Sequence, residues 1–319
     1  MRTEMPRLDR SAWGGDADAR LAVASLWWMV TMAVACLLVL SGSVRGATIY
    51  VDSRLGSDRY DGQSPETTSR ETGPVRTLQR AVALAQASDT IELKNNGTPY
   101  FGDVSLVGAR HSGNSSYPFR IHGNGSIISG AKPVPRNEWR LIGPNSEKMT
   151  VWRITPFRKG HYQLILDGQA APETDCPRDA ETLPALEENH WCAWRGAVYV
   201  ALPPSVDPGN RNFALADCEV GLTLLDVHDV IIKDLTLRHF RLDGVNAHDR
   251  CRDVLLDGLV CEQNGRAGLT VAGTSRILVM NTKAADNREA SLLITELGQA
   301  ELDACDLDQP PTVVGNESH

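Results

Sequence analysis

The blocks VIIKDLTL (230–237), VLLDGLVC (254–261), ILVMNTKA (277–284) and AELDACDL (300–307) follow one another at steps of 24, 23 and 23 residues. Apolar residues recur in matching columns, which hold Val230, Val254, Ile277 and Ala300, and then Ile232, Leu256, Val279 and Leu302. A second apolar set follows the blocks, with Val245, Leu269 and Leu292, then Ala247, Val271 and Ile294. A repeat of about 23 residues built from short strands predicts one turn of a solenoid, whose stacked turns share a continuous apolar core.

The bends between these short strands carry residues that favour tight turns. One bend column holds Asp234, Gly258, Asn281 and Ala304. Asp, Gly and Asn tolerate the left-handed and turn conformations that a tight bend requires. Leucine-rich repeats have a similar period, but their fixed pattern of leucines and asparagine is absent. We therefore predict an all-β protein whose repeats coil into a solenoid of short strands.

The chain before the repeats predicts how the solenoid begins. Residues 48–51 (TIYV) and 90–93 (TIEL) have the composition of short strands. Between them, residues 75–87 (VRTLQRAVALAQA) show helical spacing with one apolar stripe, which predicts a capping helix over the first turn. The segment from about 100 to 220 is irregular and rich in Gly, Pro, Asn and Ser. It predicts early coils with long insertions, in which Phe119–Ile121, Ser126–Ile128, Gln163–Leu166 and Ala197–Leu202 are the clearest strands.

The predicted organisation has four parts. Residues 1–46 form a signal peptide or membrane anchor, 47–95 the first strand, loop and capping helix, 96–220 the early coils with insertions, and 221–319 the regular coils and tail. Residues 21–40 lack charge and are long enough to span a bilayer. Two alternatives remain open for this segment. One is a signal peptide cleaved after Gly46, with Val44 at position −3 of the cleavage site, and the other is a retained membrane anchor. Cys36 is a weaker candidate for a lipoprotein site, and every alternative implies export.

Composition narrows the function classes. The formal net charge is −8 and the pI is near 5.5, which does not favour nucleic-acid binding through phosphate attraction. The cysteines after Cys36 match no zinc-binding spacing, and they are Cys176, Cys192, Cys218, Cys251, Cys261 and Cys305. In an exported chain this even number permits up to three disulfides. Buried free thiols are the competing interpretation, above all for Cys261 and Cys305.

Several short motifs, together with the repeats, resemble the sequence of a known protein family. They are YVD at 50–52, GSD at 56–58, DG at 61–62, GPVRTLQRA at 73–81, DTI at 89–91 and the repeats from residue 228. In this order they resemble the pectate-lyase-like superfamily of right-handed parallel β-helices, over residues 48–307. The resemblance implies a secreted protein related to bacterial polysaccharide lyases and glycoside hydrolases. Because many activities share this scaffold, it implies the fold more strongly than the reaction.

The resemblance also implies two kinds of catalytic chemistry. Calcium-assisted lyases neutralise a uronate carboxylate with Ca²⁺ and remove its α-proton with a base. The candidate calcium ligands are Asp58 and Asp61, and a loop stabilised by its own Asp side chains is the alternative. Glycoside hydrolysis needs two carboxylates across a cleft, for which Asp243 and Asp286, with His239, are the candidates.

Other polar and aromatic residues have a structural interpretation, packing or ion pairing, as well as a functional one. Trp191, Trp194 and Arg153 are the candidates for sugar contacts, although core or loop packing is the favoured interpretation for any one Trp. Lys233 with Asp257, and Arg238 with Glu262, stand one turn apart and predict ion pairs on the outer surface.

The sequence thus predicts an exported β-helix protein, with extracellular polysaccharide as its partner. A polysaccharide lyase is favoured over a glycoside hydrolase if the protein is an enzyme. A non-catalytic glycan-binding module and a truncated, inactive relative are the alternatives. We expect a monomer that meets a membrane only through its N-terminal segment.

Overall fold

The computed structural model describes residues 46–144 and 148–315. The apolar segment 21–40, Cys36 and Val44 lie outside the described residues. Within the described ranges, no helix combines the length and the apolar character that a bilayer crossing needs.

The strands fall into three groups along the chain. The first group is β1 (Thr48–Val51), β2 (Thr90–Leu93), β3 (Tyr100–Phe101), β4 (Val104–Val107) and β5 (Phe119–Ser129). The second is β6 (Ala131–Pro133), β7 (Arg140–Pro144), β8 (Thr150–Ile154), β9 (Leu164–Leu166), β10 (Gln169–Ala170), β11 (Trp191–Trp194), β12 (Ala197–Leu202) and β13 (Phe213–Ala216). The third is β14 (Leu222–Leu225), β15 (His228–Arg238), β16 (Val245–His248), β17 (Arg252–Asp257), β18 (Val260–Glu262), β19 (Ala267–Val271), β20 (Arg276–Met280), β21 (Lys283–Ala285), β22 (Ala290–Thr295), β23 (Gln299–Asp303), β24 (Asp306–Leu307) and β25 (Thr312–Val314).

Strands of the first and third groups stack in parallel to form a β-helix. One sheet follows the order β1-β2-β5-β15-β17-β20-β23, with β3, β18, β21 and β24 paired beside this path. The other sheet follows β4-β14-β16-β19-β22-β25. Every pairing in both sheets is parallel, so each turn of the chain adds one strand to each stack.

The register confirms the predicted columns. Val230 pairs with Val254, Val254 with Ile277, and Ile277 with Ala300. In the neighbouring column, Ile232, Leu256 and Val279 stack in the same register and are fully buried, at 0% exposure each. Leu302 completes this column but is 37% exposed, because the last described turn has no further turn above it. Stacking of like residues therefore builds the core, as expected for a solenoid.

The bends adopt the left-handed conformation that the sequence predicted. Asp234, Gly258, Asn281 and Ala304 have φ of 53°, 68°, 49° and 51°. A second bend column behaves in the same way, with φ of 61°, 52° and 56° at His239, Gln263 and Asp286. Next to it, buried Asn264 and Asn287 stack on successive turns and bond each other through the Asn264 Nδ2 and the Asn287 Oδ1, 3.0 Å apart.

The predicted helix is present but shorter than its apolar stripe. Helix α1 spans Leu78–Leu84 and buries Leu78, Ala81 and Val82. Thr77 begins the helix, with its hydroxyl accepting a hydrogen bond from the Arg80 amide. The helix packs against β1, the first strand of its sheet, and against β4. Short 3-10 helices occur at Gly108–His111, Arg136–Glu138 and Pro208–Asn210.

The irregular middle of the chain forms a single insertion between β5 and β14, which we call the insertion. Two antiparallel sheets of four strands each build it, β10-β9-β13-β6 and β11-β12-β8-β7. It has its own core, in which Trp191, Val198, Val200, Leu202 and Phe213 are buried. The strand predicted at Ala197–Leu202 is β12, whose six residues are all buried.

Candidate functional site

A groove lies between the insertion and one bend of the β-helix. Two adjoining cavities of about 400 and 160 Å³ share Tyr162, Glu173, Gly265 and Arg288 in their walls. We call this the insertion groove. Residues 160–163 and 170–178 of the insertion face the bend residues 264–265 and 286–289 across it.

Hydrogen bonds from the bend hold the insertion in place beside the groove. Gln263 accepts a hydrogen bond from the Gln163 side chain at its backbone oxygen, 2.8 Å away. Its own side chain accepts from the Ala170 amide at 2.9 Å and donates to Gln169 at 2.7 Å. One turn earlier, the buried Arg241 donates to the carbonyl oxygens of Lys159 and Gly160 at 2.8 and 2.7 Å. The groove walls are therefore joined directly to the coils.

Glu173 is the most perturbed acid of the groove. Its Oε2 lies 3.0 Å from the Arg288 Nη2, and its side chain is 28% exposed. Burial raises the pKa of Glu173, the Arg288 guanidinium opposes that rise, and the nearby Asp175 adds to it. A carboxyl group that keeps its proton to higher pH than usual, within a groove, is a candidate general acid.

Further polar groups surround Glu173. The groove is also lined by Asp175, Asp286 and Glu289, and by the basic residues His161, Arg178 and Arg288. Two of the polar atoms in its wall are buried without a hydrogen-bond partner, the Tyr162 hydroxyl and the Gln163 Oε1. Buried polar atoms are nearly always paired, so these two atoms indicate a place for a polar ligand or water.

Asp286 and Trp191 are the predicted candidates that the structure brings together in this groove. Asp286 is exposed, and its backbone amide donates to the Asp308 carboxylate at 2.7 Å. Trp191 is 1% exposed, and its indole N–H donates to the Ala171 carbonyl at 3.0 Å. Trp191 therefore supports the groove from the insertion core, with its ring unavailable for stacking on a sugar.

Asp243 has a structural environment. It is fully buried, and Arg266 holds both carboxylate oxygens, with the Nε–Oδ1 distance at 2.8 Å and the Nη2–Oδ2 distance at 2.5 Å. Asn246 donates to the same carboxylate at 3.1 Å. A buried carboxylate paired in this way is costly to disturb and has no free face for substrate. Asp243 and Asp286 therefore do not form the facing pair that glycoside hydrolysis requires.

His239 lies beneath the insertion, and its side chain is enclosed. It is 3% exposed, and its Nε2 lies 3.1 Å from the Gln263 Oε1. Burial lowers the pKa of His239 to about 4, although the hydrogen bond that the imidazole donates to the Gln263 Oε1 opposes this shift. The imidazole is therefore neutral near pH 7 and helps position Gln263 against the insertion.

The remaining sugar-contact candidates are separate from the groove. The indole N–H of Trp194 donates to the Ala180 carbonyl at 3.0 Å, and the Arg195 guanidinium covers its ring at 4.4 Å. Arg153 lies on β8, paired in register with Tyr199 of β12, and its Nε is buried without a partner. Neither residue lines the insertion groove.

The calcium candidates hold their own loop. The Asp58 carboxylate accepts hydrogen bonds from the amides of Arg76 and Thr77, both at 2.9 Å, and from the Thr77 hydroxyl. Asp61 accepts from the Gln63 amide at 3.0 Å. Across residues 46–144 and 148–315, no three His, Cys, Asp or Glu side chains converge as metal ligands. The donor sets present do not fit a calcium ion, since Ca²⁺ takes six to eight oxygen ligands.

The most informative groove residues carried no periodic signal in the sequence. Glu173 and Asp175 lie in the irregular insertion, so nothing in the local pattern distinguished them from loop acids. Arg288 and Glu289 occupy the bend after β21, at the positions that Arg241 and Leu242 occupy two turns earlier. A search of the sequence for charged residues in the bends beside the insertion would have found Arg288 and Glu289.

The outer ion pairs are confirmed. Lys233 Nζ lies 2.8 Å from Asp257 Oδ2, and Arg238 Nη1 lies 3.5 Å from Glu262 Oε1. Lys233 and Arg238 are therefore each paired with a carboxylate on the next turn, as expected for surface residues one coil apart.

Comparisons with known proteins identify the fold. The sequence matches no protein-family model, and no curated protein matches it. Its structure is similar to that of XylC in complex with xylose, with a TM-score of 0.54 and 11% identity over 84% of this chain. Pectate lyase Pel9A has a TM-score of 0.42 at 10% identity, covering 83% of this chain and 48% of that one. GH136 lacto-N-biosidase from Eubacterium ramulus has a TM-score of 0.38 at 12% identity, covering 90% and 50%.

The similarity to XylC agrees with the strand stacking described above, and the chain is a parallel β-helix protein. The expected resemblance in fold is thereby confirmed. The chain spans 60% of the length of the XylC structure.

Proposed function

We propose that the protein binds a glycan in the insertion groove and hydrolyses a glycosidic bond there, with Glu173 as the proton donor. The observation that carries this proposal is the position of Glu173 across the groove from Asp286 and Glu289, where burial raises the pKa of Glu173. Hydrolysis of a glycosidic bond requires one carboxyl group that is protonated and a second that is ionised.

The chemistry divides between the two walls of the groove. Glu173 protonates the leaving-group oxygen as the bond to the sugar breaks. An ionised acid on the opposite wall, Asp286 or Glu289, stabilises the positive charge that develops on the sugar and activates water or attacks the sugar carbon. Arg288 fixes the orientation of the Glu173 carboxyl group through its contact at 3.0 Å.

The charges favour a neutral glycan over a polyuronate. Beside the protonated Glu173, the carboxylates Asp175, Asp286 and Glu289 outnumber the guanidinium groups of Arg178 and Arg288 in the groove wall. A polyanionic substrate would be repelled by this excess and by the net charge of −8. This balance favours hydrolysis over the calcium-assisted lyase reaction predicted from the resemblance.

Two further considerations support an extracellular glycan. XylC, whose fold is similar, was solved with a bound sugar, xylose. The export that residues 21–40 predict would place the groove outside the cytoplasm, where polysaccharides are accessible.

A Glu173→Gln variant tests the proposal on a panel of neutral glycans and polyuronates. Gln keeps the size of the side chain but carries no acidic proton, so we expect turnover to fall about 100-fold or more while glycan binding persists. Turnover is measured as newly formed reducing ends. Glu138→Gln, an exposed acid of the insertion outside the groove, is the control and should retain wild-type turnover.

The products separate the competing functions. Reducing ends without unsaturated sugars support hydrolysis, whereas unsaturated uronides that require Ca²⁺ would establish the lyase reaction instead. Retention on glycans without any turnover would establish the non-catalytic alternative. Equal turnover by the wild type and Glu173→Gln would exclude Glu173 as the proton donor.

A further inference from the structure

Two cysteines lie next to each other at the insertion groove, one lining it and one buried behind its wall. Cys176 lines the groove next to Asp175, and Cys192 lies in β11. The groove segment runs alongside β11, because the Trp191 amide donates to Pro172 at 3.0 Å and the Thr174 amide donates to Trp191 at 2.7 Å. These two bonds form a parallel bridge between Glu173 and Trp191.

The backbone pairing brings the two thiols to the same side. With Glu173 opposite Trp191, Thr174 stands opposite Cys192. Side chains alternate along paired extended segments, so Cys176, two residues beyond Thr174, emerges on the side that also carries Cys192. The packing agrees with this geometry, since both cysteines belong to one apolar cluster with Val151 and Leu186.

The thiols differ in accessibility. Cys192 is 0% exposed, whereas Cys176 is partly exposed. Burial raises the pKa of Cys192 to about 12, and the adjacent Cys176 contributes to the rise. Each of the other four described cysteines, Cys218, Cys251, Cys261 and Cys305, packs in or against the core of the β-helix, away from this cluster.

We propose that Cys176 and Cys192 form a disulfide by exchange with a small oxidised disulfide such as oxidised glutathione, and that this bond clamps the Glu173–Asp175 wall of the groove to β11. The clamp would tie the segment that carries Glu173 to a strand of the insertion core. The groove would then be more rigid in an oxidising compartment than in a reducing one.

The exchange balances in two steps. The accessible Cys176, as its thiolate, attacks oxidised glutathione, forming a mixed disulfide and releasing one glutathione thiolate, which takes up a proton. The Cys192 thiol then loses its proton to solvent and attacks the Cys176 sulfur, expelling the second glutathione. Two protein thiols are oxidised while one glutathione disulfide is reduced to two thiols. The second step is slow and accelerates with pH, because the Cys192 thiol resists deprotonation.

Tryptic peptides of the full-length protein test the proposal directly. Cleavage after Lys159, Arg178 and Arg195 places Cys176 alone in peptide 160–178 and Cys192 alone in peptide 179–195. After incubation with oxidised glutathione, we expect a linked peptide whose mass is two hydrogen atoms below the sum of the two. It should disappear on reduction and should form faster as the pH is raised.

Matched variants and a second measurement make the outcome decisive. Cys176→Ser should abolish the linked peptide, whereas Cys218→Ser should leave it unchanged. Hydrogen exchange of residues 171–176 should slow in the oxidised wild type and not in Cys176→Ser. Free thiols, or a stable mixed disulfide on Cys176 alone, after full exposure to the oxidant would overturn the proposal. Because none of these readouts requires glycan turnover, they test the clamp independently of the proposed hydrolysis.

Discussion

Gly258 and Ala304 occupy the same bend column but differ in how well they tolerate its left-handed backbone. Both adopt the left-handed conformation, with φ of 68° and 51°, but only Gly258 does so without a steric penalty. At Gly258 an added Cβ would also lie 2.8 Å from the Asp234 Oδ1. The left-handed conformation at this bend therefore destabilises the fold when the residue is Ala and not when it is Gly. Because both positions belong to one column, substitutions at the two positions can be compared directly.

We expect Gly258→Ala to destabilise the fold by about 1 kcal/mol or more, and Ala304→Gly to be neutral or stabilising by less than about 1 kcal/mol. Urea unfolding of the two variants beside the wild type measures the difference. A loss of stability in Ala304→Gly as large as that in Gly258→Ala would contradict this account of the bend.

His239 makes the fold sensitive to acid. The pKa of His239 is about 4 in the folded state, below the ordinary value of 6.5, so the unfolded chain takes up its proton first as the pH falls. Stability is lost between about pH 6.5 and pH 4, because the folded state binds fewer protons there. The full shift corresponds to about 3 kcal/mol at most.

A His239→Gln variant should lose this part of the acid sensitivity. Gln263 already adopts the same left-handed conformation in this bend column, with φ of 52°, so an amide is compatible with the backbone. Unfolding measured from pH 7 to pH 4 should show a smaller decline for the variant than for the wild type. His248→Gln, which removes an exposed imidazole, provides the comparison. An identical decline in the wild type and His239→Gln would exclude His239 as the cause.

At the scale of elements, the bend beside the groove depends on the two buried asparagines. Asn264 accepts from the Phe240 amide at 3.1 Å and donates to the Leu237 carbonyl at 3.3 Å. Asn287 repeats the second bond one turn later, donating to the Cys261 carbonyl at 2.9 Å. These side-chain amides pair backbone groups of two successive turns that would otherwise be buried without partners.

Replacing Asn264 with Ala should cost roughly 2 to 4 kcal/mol, because the Phe240 amide loses its partner and cannot reach water. The measurement is again urea unfolding. Asn137→Ala, at an exposed position in the insertion, should change stability by less than about 0.5 kcal/mol. Comparable losses in the two variants would show that burial of the amide does not matter.

On the scale of the whole molecule, stability should vary along the axis of the β-helix. Ile232, Leu256 and Val279 are each 0% exposed between neighbouring turns, whereas Leu302 is 37% and Val313 69% exposed in the last described turn. A solenoid turn is stabilised by its neighbours, so a turn with one neighbour opens more readily than a turn with two.

Hydrogen exchange should therefore be slowest in β15 and β17 and fastest in β23 and β25. The expected difference is about tenfold or more in protection, since one missing interface is worth at least about 1.4 kcal/mol. Uniform protection over all turns would show that the β-helix opens as a single cooperative unit.

The architecture followed from the sequence because each turn repeats one local pattern. The spacing of 23 to 24 residues, the columns such as Ile232 and Leu256, and the bend residues Asp234 and Gly258 each report a requirement that recurs in every turn. Such requirements can be recognised in the sequence alone, since stacking at a fixed period places like residues in contact.

The candidate site depended on tertiary structure because its walls come from distant segments without periodicity. Glu173 meets Arg288 only where the insertion folds back over the bends. Trp191 is buried in the core of the insertion, and Asp243 is buried between coils of the β-helix and held by Arg266 of the next turn. Whether a carboxylate is free, buried or paired depends on neighbours distant in sequence, one turn away for Asp243 and more than a hundred residues away for Glu173. The repeating β-helix is encoded in the periodic sequence, whereas the polar residues that face the groove are selected by the packing of the insertion against the coils.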